Sequence, residues 1–261
     1  MKKKIKNAIS FITPLLLVIV IWETVVRFGL VSERILPPFS SIVLTSFNLL
    51  TSDYLLLKHL FVSFYRLSIG YFLGITIGVS VGILLGSREI LYRLVMPIIS
   101  FLVSIPTIAW VPLFLIFIGI GDTTVILAIF LASFFPIVYN TMNGIRSIDK
   151  RFIWASKIMG ADNLSIFSKV LLPGSLVSII TGLRLGLGYS WRALVGAEML
   201  AATKFGLGFM IYAAKAFYDV KTMFVGLILI ALGGLILDHL FMNTLEKHTI
   251  KKWGIVRGEV L

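Results

Sequence analysis

The sequence predicts an all-α, polytopic membrane protein with about six transmembrane helices. Three observations lead there. Of the 261 residues, 58% are hydrophobic and only 14% are charged, whereas a soluble domain carries about 25% charged residues. The mean hydropathy is +1.01, so the apolar surface needs a non-aqueous solvent. Uninterrupted apolar runs of about 20 residues, the length that crosses a bilayer, recur along the chain. The same composition excludes an intrinsically disordered chain, which is polar and poor in aromatics. The absence of cysteine excludes a disulfide scaffold.

The expected spans are 9–28, 61–86, 94–118, 124–143, 176–200 and 222–242. The first follows Met1-Lys2-Lys3-Lys4-Ile5-Lys6, as a signal peptide would, but Trp22-Glu23-Thr24 replaces a small-residue cleavage site, so a retained span is expected. Between the first two spans, Pro37-Pro38 forbids a continuous helix, and residues 33–60 are placed outside the bilayer.

The second span carries Gly70, Gly74, Gly78, Gly82 and Gly86 at a constant spacing of four. Small residues so arranged let a second helix approach closely, which reads as a packing seam. The third contains Pro97, Pro106 and Pro112. Interior prolines remove backbone hydrogen bonds and kink helices, and freed carbonyls at membrane depth are tolerated where they face protein or a wet cavity. This segment is either a bent packing helix or part of a pathway, with Ser104, Pro106, Thr107 and Trp110 as candidate contacts. The fifth carries four further candidates for the pathway, Arg184, Trp191, Arg192 and Glu198. Charges inside a span need cover, and neither arginine closes onto Glu198 within one helix. Each therefore pairs with another span, for example at Glu23, or faces a solute.

Basic residues set the orientation. With both termini cytoplasmic, fifteen of the 24 Lys and Arg residues fall inside, six outside and three (Arg66, Arg184, Arg192) within spans. The net charge of +12 is thus mostly a topology signal and a grip on anionic membrane lipid, and nucleic acid is not expected as a partner. No Gly-Lys dipeptide exists to build a phosphate-binding loop. His59, His239 and His248 match no metal-ligand spacing, and no paired carboxylates suggest acid–base catalysis. No catalytic residue, metal or cofactor is assigned to this chain.

Residues 143–173 form the longest cytoplasmic segment within the single 1–261 transmembrane domain. Ile148, Phe152, Ile153, Ala155, Ile158, Met159, Leu164, Ile166 and Phe167 recur at roughly helical spacing around Gly160. That pattern predicts two short amphipathic helices joined at the glycine and ended by Leu172-Pro173.

Trp154-Ala155-Ser156, three residues, Gly160-Ala161, then Val170-Leu171-Leu172-Pro173 resembles the cytoplasmic signature of ABC importer permeases. Trp154 stands where that signature has Glu, and Ser156 where it has the second Ala. Ser104-Ile105-Pro106-Thr107-Ile108-Ala109-Trp110, Gly119-Ile120-Gly121-Asp122, Leu36-Pro37-Pro38, Gly182-Leu183-Arg184, Trp191 and Ala197-Glu198-Met199 are similar to the nitrate/sulfonate/taurine group of those permeases. The resemblance implies the type I ABC importer permease fold in a prokaryotic cytoplasmic membrane. It further implies a second permease copy (a homodimer), a cytoplasmic ABC ATPase that binds ATP and Mg, and an extracytoplasmic solute-binding protein. The loop containing Trp154, Ala155, Ser156, Gly160, Ala161, Leu172 and Pro173 would couple to the ATPase. The solute implied is a small anion such as a sulfonate, taurine or nitrate, or else a vitamin precursor of the thiamine-pyrimidine or riboflavin type. A stand-alone secondary transporter is the competing class; no inverted repeat or intramembrane acid relay supports it.

Overall fold

The computed structural model describes residues 2–51 and 54–241, with the side chains of residues 2–12, 15, 240 and 241 left aside. The basic tail residues Lys247, Lys251, Lys252 and Arg257, and the end of the sixth expected span, lie outside the described residues. Eleven α-helices make up the described chain: α1 Lys2–Arg27, α2 Phe39–Thr51, α3 Leu55–Ser87, α4 Glu89–Val103, α5 Trp110–Phe117, α6 Asp122–Arg146, α7 Lys150–Ile158, α8 Asn163–Ile166, α9 Leu172–Ala201, α10 Leu207–Ala216 and α11 Val220–Ile236.

Four of the described helices are long and apolar enough to cross a membrane: α3, α6, the run from α8 through α9, and α11 with its extension to His239. A fifth arises if α4 and the 107–117 segment count as one span. α1 (Lys2–Arg27, 26 residues) covers most of the expected first span 9–28, but only part of it contributes described side chains.

The core is a three-helix layer with α6 in the middle. Its face toward α3 presents Ile129, Ser133, Ile137, Thr141 and Ile145, spaced by four like the glycines opposite. A Cβ added at Gly70 would lie 2.7 Å from Ile129, at Gly82 2.6 Å from Thr141 and at Gly86 2.8 Å from Ile145. The five glycines therefore let α3 seat backbone against side chain along its membrane length, a close approach that any Cβ would block. The other face of α6 meets α9 by the same device, with Gly182 against Asn140 and Gly186 against Ile137. Tyr71 donates to the Leu183 carbonyl at 2.9 Å and Ser190 to the Ile129 carbonyl at 3.1 Å, fixing the layer's register.

Two expectations need correction. The 94–118 segment is not one continuous helix: α4 and the 107–117 helix meet at 84° across a break. The break falls at Ser104-Ile105-Pro106, where the ring of Pro106 cannot continue the ladder and Ile105 is biased away from helix. Pro97 sits inside an unbroken α4, and Pro112 lies in the first turn of α5, where its missing N–H would have no helical acceptor anyway. Nor does Leu172-Pro173 end the second loop helix. The Leu172 amide donates to the Phe167 carbonyl, five residues back, so a widened turn at Phe167–Leu171 carries α8 directly into α9. The extra residue in that turn accommodates the ring of Pro173, which has no amide to donate.

Two short apolar helices, α2 and α10, were not foreseen. They close over α11 through Ile42, Leu56, Met210 and Val225, with Trp22 against Phe39 and Phe224.

Candidate functional site: a cavity, a groove and two ends of the helix layer

The α4–α5 elbow and the central layer enclose a cavity of about 620 Å³. Pro106 and Thr107 line it from the elbow, Pro136, Tyr139 and Asn140 from α6, and Tyr189 from α9. Of the four elbow residues expected at a pathway, two are therefore at this cavity. Ser104 is exposed beside it and donates to the Ser100 carbonyl. Trp110 stacks on Phe114, its buried indole N–H without a hydrogen-bond partner among the described residues. Tyr139 and Asn140 went unnoticed in the sequence, although an Asn within an apolar span was a readable signal.

The four marked residues of α9 separate into different environments. Trp191 is buried, donates to the Ile230 carbonyl at 3.1 Å and packs on Gly233 and Gly234, so it joins α9 to α11. Arg184 pairs with Asp238, Nε to Oδ1 at 3.2 Å and Nη2 to Oδ2 at 3.3 Å. Arg192 is exposed, with its guanidinium 6.0 Å from the Tyr189 ring centroid. Both arginines border a groove of about 330 Å³ between α9 and α11. The partner suggested for them, Glu23, instead accepts from Arg27 at 2.9 Å and from Ser40 at 2.7 Å.

Glu198 is fully buried. Its carboxylate accepts from Arg66 Nη1 at 2.8 Å, from Ser63 Oγ at 2.8 and 2.9 Å, and from the Gly208 amide at 2.9 Å. Arg66, also buried, donates further to the Phe205 carbonyl at 2.7 Å and to Asp122 through Nε and Nη2 at 3.0 and 2.7 Å. Ser63 in turn receives the Leu207 amide at 2.8 Å, and His59 Nδ1 receives the Gly206 amide at 3.0 Å. This clasp joins the start of α3, the start of α6, the end of α9 and the start of α10. Gly206, at φ +140°, is part of its geometry: an added Cβ would lie 2.5 Å from the Glu198 carboxyl carbon. Each buried charge is compensated, as low dielectric surroundings demand. Sequence reading placed Glu198 among pathway candidates and set Arg66 aside; the 132 residues between them hid the pair.

The opposite end of the layer carries α7 and α8. Asp149 caps α7 by accepting the Arg151 amide at 2.9 Å, and the Arg151 side chain adds a second contact at 2.8 Å. These bonds hold the Asp149 carboxyl below its ordinary range. Gly160, at φ +82°, makes the left-handed turn that reverses the chain between α7 and α8. Asp162 caps α8 through the Ser165 amide. Trp154 and Ala155 are exposed, Ser156 is half-buried and donates to the Phe152 carbonyl, and Ala161, Leu172 and Pro173 are half-buried. Ile158 and Met159 at the tip are 87% and 86% exposed, and Phe152 and Leu164 are exposed beside them.

A layer of glycine-seated spans with an exposed apolar tip at one end describes a multi-span membrane component. Residues 70–249 match the family model described as the binding-protein-dependent transport system inner membrane component, and the chain belongs to that family. It is 36% identical to SsuC of Bacillus subtilis (strain 168), a permease named for aliphatic sulfonates, over 90% of this chain and 84% of that one. It is 35% identical to the taurine transport system permease TauC of Escherichia coli (strain K12), over 87% and 84%. The nitrate import permease NrtB of Synechocystis sp. is 33% identical over 72% and 67%. Inward-facing structures of the MetNI methionine ABC transporter share the fold, with a TM-score of 0.64, 24% identity, and coverage of 76% of this chain and 96% of that one. The chain is accordingly an ABC importer permease of the nitrate/sulfonate/taurine group and a multi-pass membrane protein.

Proposed function

We propose that this permease imports a small oxyanion, of the sulfonate, taurine or nitrate type, by alternating access driven by ATP hydrolysis on a partner subunit. The observation that carries the coupling half of this reading is the α7–α8 tip. Ile158 and Met159 stand almost fully exposed on a segment continuous with a membrane-crossing helix. Apolar side chains so placed on a polar scaffold mark a protein contact, and a cytoplasmic ABC ATPase is the partner that the family supplies. Trp154, in place of an acidic residue, would add to an apolar fit. ATP and Mg would be bound by that ATPase. Two permease copies would frame the path, with an extracytoplasmic solute-binding protein at the outer mouth and both termini of this chain in the cytoplasm.

Support for the solute class comes from the relatives named for sulfonates, taurine and nitrate, all oxyanions suited to the planar donor fork of arginine. The test is uptake by the reconstituted complex of permease, ATPase and binding protein. ATP-dependent accumulation of taurine, an alkanesulfonate or nitrate is expected; accumulation of only uncharged or cationic solutes would overturn the reading. Replacing Gly160 with Pro is expected to abolish uptake and ATPase binding together, because proline cannot adopt the positive φ of that turn.

A further inference from the structure

We infer that the groove between α9 and α11 is an oxyanion site, with Arg192 as its primary donor and Arg184, released from Asp238, as its second. The inference rests on the oxyanion reading above and assigns it a place. α9 is 30 residues long, about 45 Å at 1.5 Å per residue. Arg184 lies about 18 Å and Arg192 about 30 Å from its first residue. Centring the ~30 Å hydrocarbon layer on the helix puts both guanidinium stems within membrane depth, where an uncompensated charge is costly.

Among the described residues that line the groove are two arginines and one carboxylate. Asp238 is engaged by Arg184 at 3.2 and 3.3 Å, longer than the 2.7–2.9 Å of tight charge-assisted bonds. The buried clasp closes at 2.7–2.8 Å. Arg192 has no carboxylate within bonding distance among the described residues, and its Tyr189 contact stands at the outer limit of a cation–π interaction. One monovalent oxyanion would neutralise Arg192.

Space is provided at the right position. Gly188 sits between the two arginines on the helix and lines the groove, and a Cβ added there meets no atom within 4 Å. This separates it from Gly182 and Gly186 on the same helix, which are glycine because α6 is packed on them. Gly188 leaves open volume. Trp191 and Gly234 form the apolar wall, which limits the competing water.

The experiment uses the full complex in proteoliposomes, with labelled taurine and nitrate as probes and native mass spectrometry to count retained phosphatidylglycerol. Three variants are compared: Gly188→Leu, Arg192→Gln and Arg192→Lys. The Cβ of Gly188→Leu meets no atom within 4 Å, so the packing of α9 on α6 should be kept while the rest of the side chain occupies the groove. At least tenfold lower uptake for Gly188→Leu and Arg192→Gln, with milder loss for Arg192→Lys, is expected when the oxyanion is the solute. If it is a lipid headgroup, wild type retains a phosphatidylglycerol that both variants lose, and uptake depends on that lipid; this too supports an oxyanion site. Wild-type uptake with unchanged lipid retention in Gly188→Leu and Arg192→Gln would overturn the inference, as would loss of permease dimerisation in Arg192→Gln, which would make a second copy the partner. Absence of taurine and nitrate uptake by wild type would sink the solute reading separately, while the lipid count still decides the groove.

Discussion

The two ends of the α3–α6–α9 layer solve opposite problems. At one end, Arg66, Glu198, Ser63 and the α10 amides satisfy one another inside the chain, with two of the charges fully out of solvent. At the other end, Ile158, Met159, Phe152 and Leu164 stand in the open, and the polar bonds of the segment are short-range caps. The first end is satisfied within one chain; the second is the end proposed above to meet the ATPase. Stability should therefore respond to mutation at the clasp, and assembly to mutation at the tip.

The largest effect is expected at the clasp. Glu198→Ala leaves Arg66 buried with only the half-exposed Asp122 opposite, and loss of one partner of a buried pair costs about 3–5 kcal/mol. Thermal unfolding in detergent should show a sharply lower Tm, and Arg66→Met combined with Glu198→Leu should recover part of it. An unchanged Tm in Glu198→Ala would erase the contrast. Next comes the seam: Gly82→Val drives a side chain into Thr141, where the added Cβ alone lies at 2.6 Å. Overpacking of this kind costs about 1–3 kcal/mol and should lower Tm and yield. At the tip, Ile158→Asp should leave the Tm of the isolated permease within about 0.5 kcal/mol equivalent, yet weaken ATPase capture by tenfold or more in a pull-down. Equal losses in both measurements would collapse the distinction between the ends.

The smallest effect concerns Asp149. Its carboxyl is held below the ordinary value by bonds from Arg151, so its cap is fully present above the unfolded value of ~3.9 and is lost as pH falls through the lower folded value. Protection of the Arg151 amide, its exchange rate relative to the intrinsic rate at each pH, should hold from neutral pH down to about 4 and fall as pH drops further. Asp149→Asn should remove that acid-side change while keeping a cap.

How much of this was legible depended on the range of each signal. Hydropathy and four-residue periodicity are local, so α3, α6, α9, α11 and the glycine seam could be read directly, as could α7, α8 and the turn at Gly160. The α4–α5 elbow was half visible: three prolines announced a bend, but which of them breaks the helix depends on position within the hydrogen-bond ladder. The run from α8 into α9 was misread because a proline stops a regular helix but not one with a widened turn before it. The Arg66–Glu198 pair was invisible to a reading that weighs each charge against its own span. The rule that a buried charge needs a partner was available for Arg66 and would have prompted the search.

The widened turn at Phe167–Leu171 makes residues 163–201 a single helical rod of 39 residues, about 58 Å from end to end. One end adjoins the α7–α8 tip proposed to meet the ATPase, its middle carries Arg184 and Arg192, and its other end is pinned by Glu198. A rod held at one end and pushed at the other pivots, so a displacement that reaches α8 would be handed along the backbone rather than absorbed in a loop. The two arginines, part-way along that lever, would swing with it through a distance set by their separation from the pin, and the grip on an anion bound as proposed would change with each stroke.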